Sequence, residues 1–183
     1  MRIIVAPDPV LRQSCEPVAP AELKSLRGKA RQMAKLMYKS NGCGIAAPQV
    51  GLLKRLMVVD VSTAEEGEEP PQDPVYFVNP EVVRSWGEPE QADEGCLSIP
   101  GIQIPIQRPT GIEVTALDLQ GEPFSIEAEG FMARAIQHEL DHLDGTTMFE
   151  HLDPIARART FREYEQALRQ GAKPGDTGVE DRA

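Results

Sequence analysis

The segment Gln137-His138-Glu139-Leu140-Asp141-His142 carries more information about this chain than any other. It follows an apolar run that starts at Gly130 and is closed by Gly145, a pattern that predicts a helix over residues 130–143. Residues four apart lie on one face of a helix, so His138 and His142 can bind a single metal ion. Glu139 places a carboxylate beside them for proton transfer. The first hypothesis is therefore a metal-dependent hydrolase built around this helix.

Hydrophobic periodicity on either side of this helix predicts an α+β fold. Apolar residues at helical spacing predict an N-terminal helix over 20–40, and Asp153-Pro154 starts a C-terminal helix that continues to Gln170. Between the outer helices the sequence predicts strands over 55–60, 75–79, 82–86 and 102–107, a polar loop over 65–73, and a hairpin of 112–116 with 124–128. We expect mixed or antiparallel sheets packed around the central helix, because the strands precede separated helices. Residues 1–170 are predicted to form one catalytic domain, and 171–183 a disordered tail.

Composition argues against several classes of protein. The 183 residues have a formal net charge of −10, which argues against broad binding to nucleic acid, and we expect no specific nucleic-acid site. No apolar run is long enough to span a bilayer, and the first residues lack the apolar core and cleavage site of a secretory signal. The three cysteines are scattered, which indicates reduced thiols. The sequence therefore predicts a cytoplasmic protein without a membrane segment.

The two histidines need a third ligand, because a catalytic metal site usually has three protein ligands and one open position. Met148 stands where the metzincin pattern places its third histidine, and a thioether does not replace imidazole on zinc. Cys96, in Glu94-Gly95-Cys96-Leu97-Ser98, offers a thiolate that binds Zn²⁺ or Fe²⁺ well. As a lone observation, a buried structural cysteine is the more common case, so both alternatives stay open. The downstream carboxylates lie in no recognisable second motif; they are Glu150, Glu163 and Glu165.

A glycine-rich segment from Gly42 to Gly51 follows the N-terminal helix. It lacks the Gly-Lys-Ser/Thr ending of a phosphate-binding loop, which argues against phosphate binding. Its glycines and alanines suit a backbone that closely approaches a ligand or another strand. Gln49 adds a neutral amide donor for a developing oxyanion.

Three segments together resemble the peptide deformylases. That family carries G-x-G-x-A-A-x-Q, E-G-C-L-S and Q-H-E-x-D-H in this order, and here the motifs occupy residues 42–49, 94–98 and 137–142. The opening residues 6–12 are also similar to the family's, and the resemblance extends to about residue 165. It implies a hydrolase that removes the formyl group from the N-terminal formylmethionine of newly made polypeptides and releases formate.

The resemblance also implies a role for each matching residue. The metal ligands would be Cys96, His138 and His142, with water in the fourth position. Glu139 would act as general base and then general acid while that water attacks the formyl carbon. The oxyanion would be held by the metal, the Gln49 side chain and the Leu97 backbone N–H. The peptide backbone would bind as a strand along Gly44, Ile45 and Gly95.

The resemblance implies a metal and partners as well. The family's use of Fe²⁺ implies iron in the cell, with Zn²⁺ or Ni²⁺ as occupants after purification. Some deformylases are thought to dock on the ribosome through a C-terminal helix, which implies a transient contact of this kind here. An ordinary solvated helix is an equally good interpretation of that segment's basic bias, which comes from Arg157, Arg159, Arg162 and Arg169.

Two other functions stay open at this point. An H-E-x-x-H peptidase that cuts internal peptide bonds predicts a downstream acidic ligand and no need for Cys96. A non-catalytic metal module predicts four protein ligands and no metal-bound water.

Overall fold

The structure, a computed structural model, describes residues 1–62 and 71–176. Within these residues three helices and seven strands follow one another as α1 (Pro20–Lys39), β1 (Gly44–Ala46), β2 (Leu56–Val59), β3 (Val75–Trp86), β4 (Glu90–Cys96), β5 (Ile99–Arg108), β6 (Gly111–Leu117), β7 (Pro123–Glu129), α2 (Gly130–Leu143) and α3 (Pro154–Arg169). Short 3₁₀ helices occupy Pro9–Arg12, Ala47–Val50 and Met148–His151. Residues 65–70 of the loop predicted over 65–73 lie outside the described residues.

The strands form two antiparallel sheets, which confirms the predicted α+β class. Five strands pair in the order β1-β2-β3-β6-β7, and β4 pairs with β5 as a separate two-stranded sheet. The predicted hairpin is present as β6 and β7, with Thr115 opposite Ser125. Its turn is closed by Asp118, whose carboxylate accepts from the backbone N–H groups of Gln120 and Glu122.

The five-stranded sheet lies between α1 and α2. In β2, Leu56 and Val58 pack with the apolar face of α1, and Met57 and Val59 pack with α2. Successive side chains point to opposite faces of a strand, so a strand covered on both faces is apolar throughout. The central helix is thus held on one side by this sheet, which positions the H-E-x-x-H motif.

Two differences from the predicted strands have causes that are visible in the structure. The strands predicted over 75–79 and 82–86 are one strand, β3, with a register shift between Val78 and Glu81. The irregularity lies at Asn79, which has a φ of 51°. The Asn79 Oδ1 accepts from the Val18 backbone N–H, and the Asn79 Nδ2 donates to the Val18 carbonyl. Strand β4 is not predicted, because its residues Glu90 to Glu94 are mostly poor strand formers that depend on pairing with β5.

Helix α3 packs on β5 through a third apolar cluster. Asp153 caps its first turn by accepting from Ile155 N and Ala156 N, as predicted. Tyr164 is fully buried, and its hydroxyl donates to the Ala6 carbonyl over 2.7 Å, which fixes the N-terminal segment against α3. None of the described helices is long and apolar enough to cross a membrane.

The chain turns back after α3. The Gly101 backbone N–H donates to the Asp176 carbonyl over 2.6 Å, so residues 171–176 lie against β5. Residues 177–183, the rest of the predicted disordered tail, lie outside the described part of the chain. The limits of a single domain over 1–170 stay a prediction.

Candidate metal centre

Helix α2 presents His138 and His142 one turn apart, and both imidazoles are buried. Cys96 ends β4 and reaches the same point. One ligand atom from each of the three lies within 4.8 Å of the others, and the Cys96 Sγ is 3.2 Å from the His142 Nε2. A sulfur and two nitrogens therefore converge as they do around one metal ion.

The electrostatics of this cluster favour a thiolate. Burial alone would raise the pKa of Cys96, but the charges of His142 and His138 and hydrogen bonds with both lower the pKa to about 5. Burial opposes the charge of His138 too, yet contact with Cys96 and Glu94 raises its pKa well above the ordinary value. Protons and a metal ion therefore compete for this site, and metal binding releases protons.

A carboxylate orients the His138 ring. Its Nδ1 lies 2.9 Å from the Glu94 Oε2, which leaves Nε2 for the metal. Glu94 accepts in turn from Arg108 over 2.6 and 2.9 Å and from Arg134 over 2.8 Å. Burial opposes the charge of Glu94, but Arg108 and His138 hold its pKa well below the ordinary value. Arg108 also donates to Asp141 over 2.9 Å and so ties β5 to α2.

Glu139 is 4% exposed, and its Oε2 has no hydrogen-bond partner among the described residues. Burial raises the pKa of Glu139 to about 7, although the charges of His138 and His142 lower it. A carboxyl group that titrates near neutral pH suits a base that must later return its proton. An unpartnered buried oxygen is normally costly, so its place here is explained by a ligand that it would contact.

The amide of Gln49 has a fixed orientation. Its Oε1 accepts from the Ala46 backbone N–H over 2.7 Å, so its Nε2 faces the metal cluster. That nitrogen lies 3.7 Å from the Cys96 Sγ and 3.2 Å from the Ser98 Oγ. The 3₁₀ helix Ala47–Val50 thus brings a neutral donor beside the sulfur.

A pocket of about 350 Å³ opens in front of the cluster. Its lining includes two predicted substrate-binding positions, Gly44 and Gly95, and also Leu97 and Glu139. A Cβ at Gly44 would lie 2.4 Å from the Glu139 Oε1, so this glycine is required for the carboxylate to fit. Ile45 lies behind the lining: its side chain is fully buried in the core under α1.

The donor set fits a divalent transition metal, since thiolate and imidazole are ligands that zinc and iron accept. Among the described residues, one group of three metal-binding side chains lies this close together, and it is this one. The downstream carboxylates are engaged elsewhere: Glu150 accepts from Thr147, while Glu163 and Glu165 pair with arginines on α3. This arrangement argues against the ligand set of an internal-bond peptidase.

Comparison with known proteins shows which family has this sequence and fold. The family model for polypeptide deformylase matches residues 1–158. A peptide deformylase from Rhizobium meliloti is 41% identical over 172 residues, which covers 93% of this chain and 96% of that protein. The chain belongs to the polypeptide deformylase family. Two solved deformylases are similar, each 36% identical: one from Legionella pneumophila has a TM-score of 0.81 and covers 92% of this chain and 95% of that one. The other, from Ehrlichia chaffeensis in complex with actinonin, has a TM-score of 0.83, with 92% and 98% covered.

The predicted family and activity are therefore confirmed: the chain is a peptide deformylase-type hydrolase with a Cys-His-His metal site. Sequence reasoning does not single out the charged residues that hold the ligands, namely Glu94, Arg108, Arg134 and Asp141. One signal for them is present, because Arg134 lies four residues before His138 on the same face of α2. A charge on the buried face of a helix requires a partner.

Proposed function

We propose that this deformylase acts on N-formylmethionyl peptides with each site residue in the role that its motif implies. The ligands of one divalent ion are Cys96, His138 and His142. The observation that carries the proposal is the buried carboxylate of Glu139, which lies between two of these ligands in the sequence and at the wall of the pocket, and whose Oε2 has no hydrogen-bond partner among the described residues.

The metal itself supplies Lewis acidity that makes water a nucleophile near neutral pH. We infer Fe²⁺ in the cell, with Zn²⁺ or Ni²⁺ as occupants after purification. The thiolate supports either choice, since all three ions accept sulfur and imidazole ligands. Metal analysis of anaerobically purified protein tests this, and zinc as the main metal under those conditions would contradict it.

The chain's own residues carry the proton and stabilise the charge. Glu139 takes the proton of the attacking water, and a C–O bond forms at the formyl carbon. The oxygen of the former carbonyl gains negative charge within reach of the Gln49 Nε2 and the Leu97 backbone N–H. Glu139 then gives its proton to the leaving nitrogen as the C–N bond breaks. The products are formate and a free N-terminal methionine.

The substrate backbone binds along an open strand edge in this account. Strand β1 is at the edge of the five-stranded sheet, and Gly44 lines the pocket there. An extended peptide adds to such an edge through main-chain hydrogen bonds. The Asp60 N–H donates to the Cys43 carbonyl, so at alternate positions Ile45 directs its backbone groups to Val58 of β2, and its part is to hold Gly44 at the open edge. Gly95 lines the same pocket.

A product analysis tests the proposed function. We expect metal-loaded protein to convert formyl-Met-Ala-Ser to Met-Ala-Ser and formate in equal amounts, with no internal cleavage by mass spectrometry. Cys96→Ala is expected to abolish metal binding and formate release, whereas Cys15→Ala, at a buried cysteine outside the ligand set, keeps both. Retention of metal and activity by Cys96→Ala would overturn the ligand assignment.

We also propose that the enzyme is cytoplasmic and makes a transient contact with the ribosome through α3. Its support is the exposure of Arg159 and Arg169, whose side chains are 73% and 77% accessible. Arg157 contributes less, because it donates to the Phe149, Glu150 and Leu152 carbonyls. Exchange of Arg159, Arg162 and Arg169 for glutamate is expected to reduce co-sedimentation with ribosomes. Unchanged co-sedimentation would refute the contact, and substitution is preferable to truncation because Tyr164 is in the core.

A further inference from the structure

The segment that follows α3, residues 171–176, is built into the wall of the active-site pocket. We name it the C-terminal strap. Gly175 and Asp176 line the same pocket as His138 and Glu139. None of the three motifs covers this segment, and the match to the family model extends over residues 1–158. Its position at the pocket therefore requires a separate explanation.

The strap is held against β5 at Gly101. Its Asp176 carbonyl accepts from the Gly101 N–H over 2.6 Å. A Cβ at Gly101 would lie 2.7 Å from the Cβ of Ala172 and 2.8 Å from that of Ala167, so β5 and the strap are in tight contact. The strap also packs on the end of α1, since a Cβ at Gly175 would lie 2.6 Å from the Ser40 carbonyl oxygen. It therefore spans from β5 to the residues just before the glycine-rich segment.

The strap's own turn is well formed. Lys173 accepts from the Asp176 N–H over 2.9 Å, and the Asp176 carboxylate accepts from the Lys173 N–H over 2.7 Å. Pro174 and Gly175 occupy the two central positions, and Gly175 has φ 104°, the combination that a type II turn requires. Because the Asp176 carboxylate is used inside the turn, the strap presents mainly backbone to the pocket.

We propose that the C-terminal strap is a substrate-positioning element of this deformylase, a wall against which the formylmethionyl peptide is held. This inference rests on the proposed function of the pocket. The strap touches no metal ligand in the described contacts, so it acts on binding rather than on the reacting atoms. Interactions made equally with substrate and transition state change KM and leave kcat unaltered.

Two pairs of variants test the strap with matched controls. Gly175→Val places a side chain against Ser40 at a position with positive φ. Gly171→Val also places a side chain at a position with positive φ, 94°, but nothing lies within 4 Å of its Cβ. A stop codon after Gln170 removes the strap, and one after Asp176 leaves it in place. The probe is formyl-Met-Ala-Ser, with metal content and thermal unfolding measured for every variant.

We expect KM to rise about tenfold in Gly175→Val and in the shorter truncation, with kcat within about twofold of wild type. Both controls should keep the wild-type KM. A second readout is the rate at which N-ethylmaleimide labels Cys43, which lines the same pocket and should react several-fold faster once the wall is gone. Wild-type protein that releases no formate would defeat the proposed function. If wild type is active and both KM and Cys43 labelling are unchanged without the strap, the strap proposal is wrong.

Discussion

The substitution Gly44→Ala tests how closely the pocket is built around the proton carrier. A Cβ at this position would lie 2.4 Å from the Glu139 Oε1 and 2.9 Å from its Cγ and Cδ. Ordinary contacts of a Cβ begin at 3.4 Å, so the carboxylate must move by the difference, about 1 Å. Glu139 is buried beside two metal ligands and has little room to give way.

A misplacement of about 1 Å in a reacting group costs on the order of 100-fold in rate, or about 2.7 kcal/mol of transition-state stabilisation. We expect Gly44→Ala to lower kcat for formate release by this factor while the protein still binds one metal ion. Gly28→Ala is the control, because nothing lies within 4 Å of a Cβ on that residue of α1. It should leave kcat unchanged.

A double-mutant cycle shows whether the effect passes through Glu139. In a Glu139→Gln background the proton carrier is already lost, so adding Gly44→Ala should change the residual rate by less than about threefold. If Gly44→Ala lowers the rate as much in that background as in wild type, the substitution acts by another route. A wild-type rate in Gly44→Ala itself would show that the close contact is not required.

Three further predictions follow from the same contacts. Glu94→Gln weakens the bond that orients His138, so metal affinity in a competition with a chelator should fall about 10- to 100-fold, and an unchanged affinity would contradict that role. In metal-free protein, burial raises the pKa of Glu139 from 4.5 to about 7, so the free energy of unfolding of the wild type falls as pH rises through this interval. Glu139→Gln does not titrate and should be more stable than wild type by on the order of 3 kcal/mol at pH 8 in urea unfolding. This difference should disappear toward pH 4.5. Tyr164→Phe leaves the Ala6 carbonyl without its donor and should cost about 1 kcal/mol in the same assay while metal content and formate release stay constant; loss of metal would show that α3 does more than pack.

The central helix and its two histidines are predictable from sequence because their geometry is local. A spacing of four residues places both imidazoles on one face of α2 whatever surrounds it. The orientation of the Gln49 amide also depends on a local contact, with Ala46 three residues away, while its role as oxyanion donor stays a prediction. The convergence of Cys96 with α2 is not local, and the sequence predicts it only through the resemblance of three motifs to one family.

The parts that sequence does not predict depend on long-range contacts. Glu94 acquires its role from His138, 44 residues away, and from Arg108 on the paired strand. Strand β4 exists because it pairs with β5, not because its residues favour an extended backbone. The strap is of the same kind: the sequence predicts a disordered tail from residue 171, and the place of Gly175 at the pocket follows from how α3 and the strap pack on β5.

The most direct test of the account is formate release from formyl-Met-Ala-Ser by wild type and Glu139→Gln loaded with the same metal to the same occupancy. We predict one formate per peptide for wild type and a rate at least about 100-fold lower for Glu139→Gln, because the ligands remain while the proton carrier is lost. A Glu139→Gln rate within a few-fold of wild type at equal occupancy would contradict the assignment of Glu139 and with it the proposed mechanism.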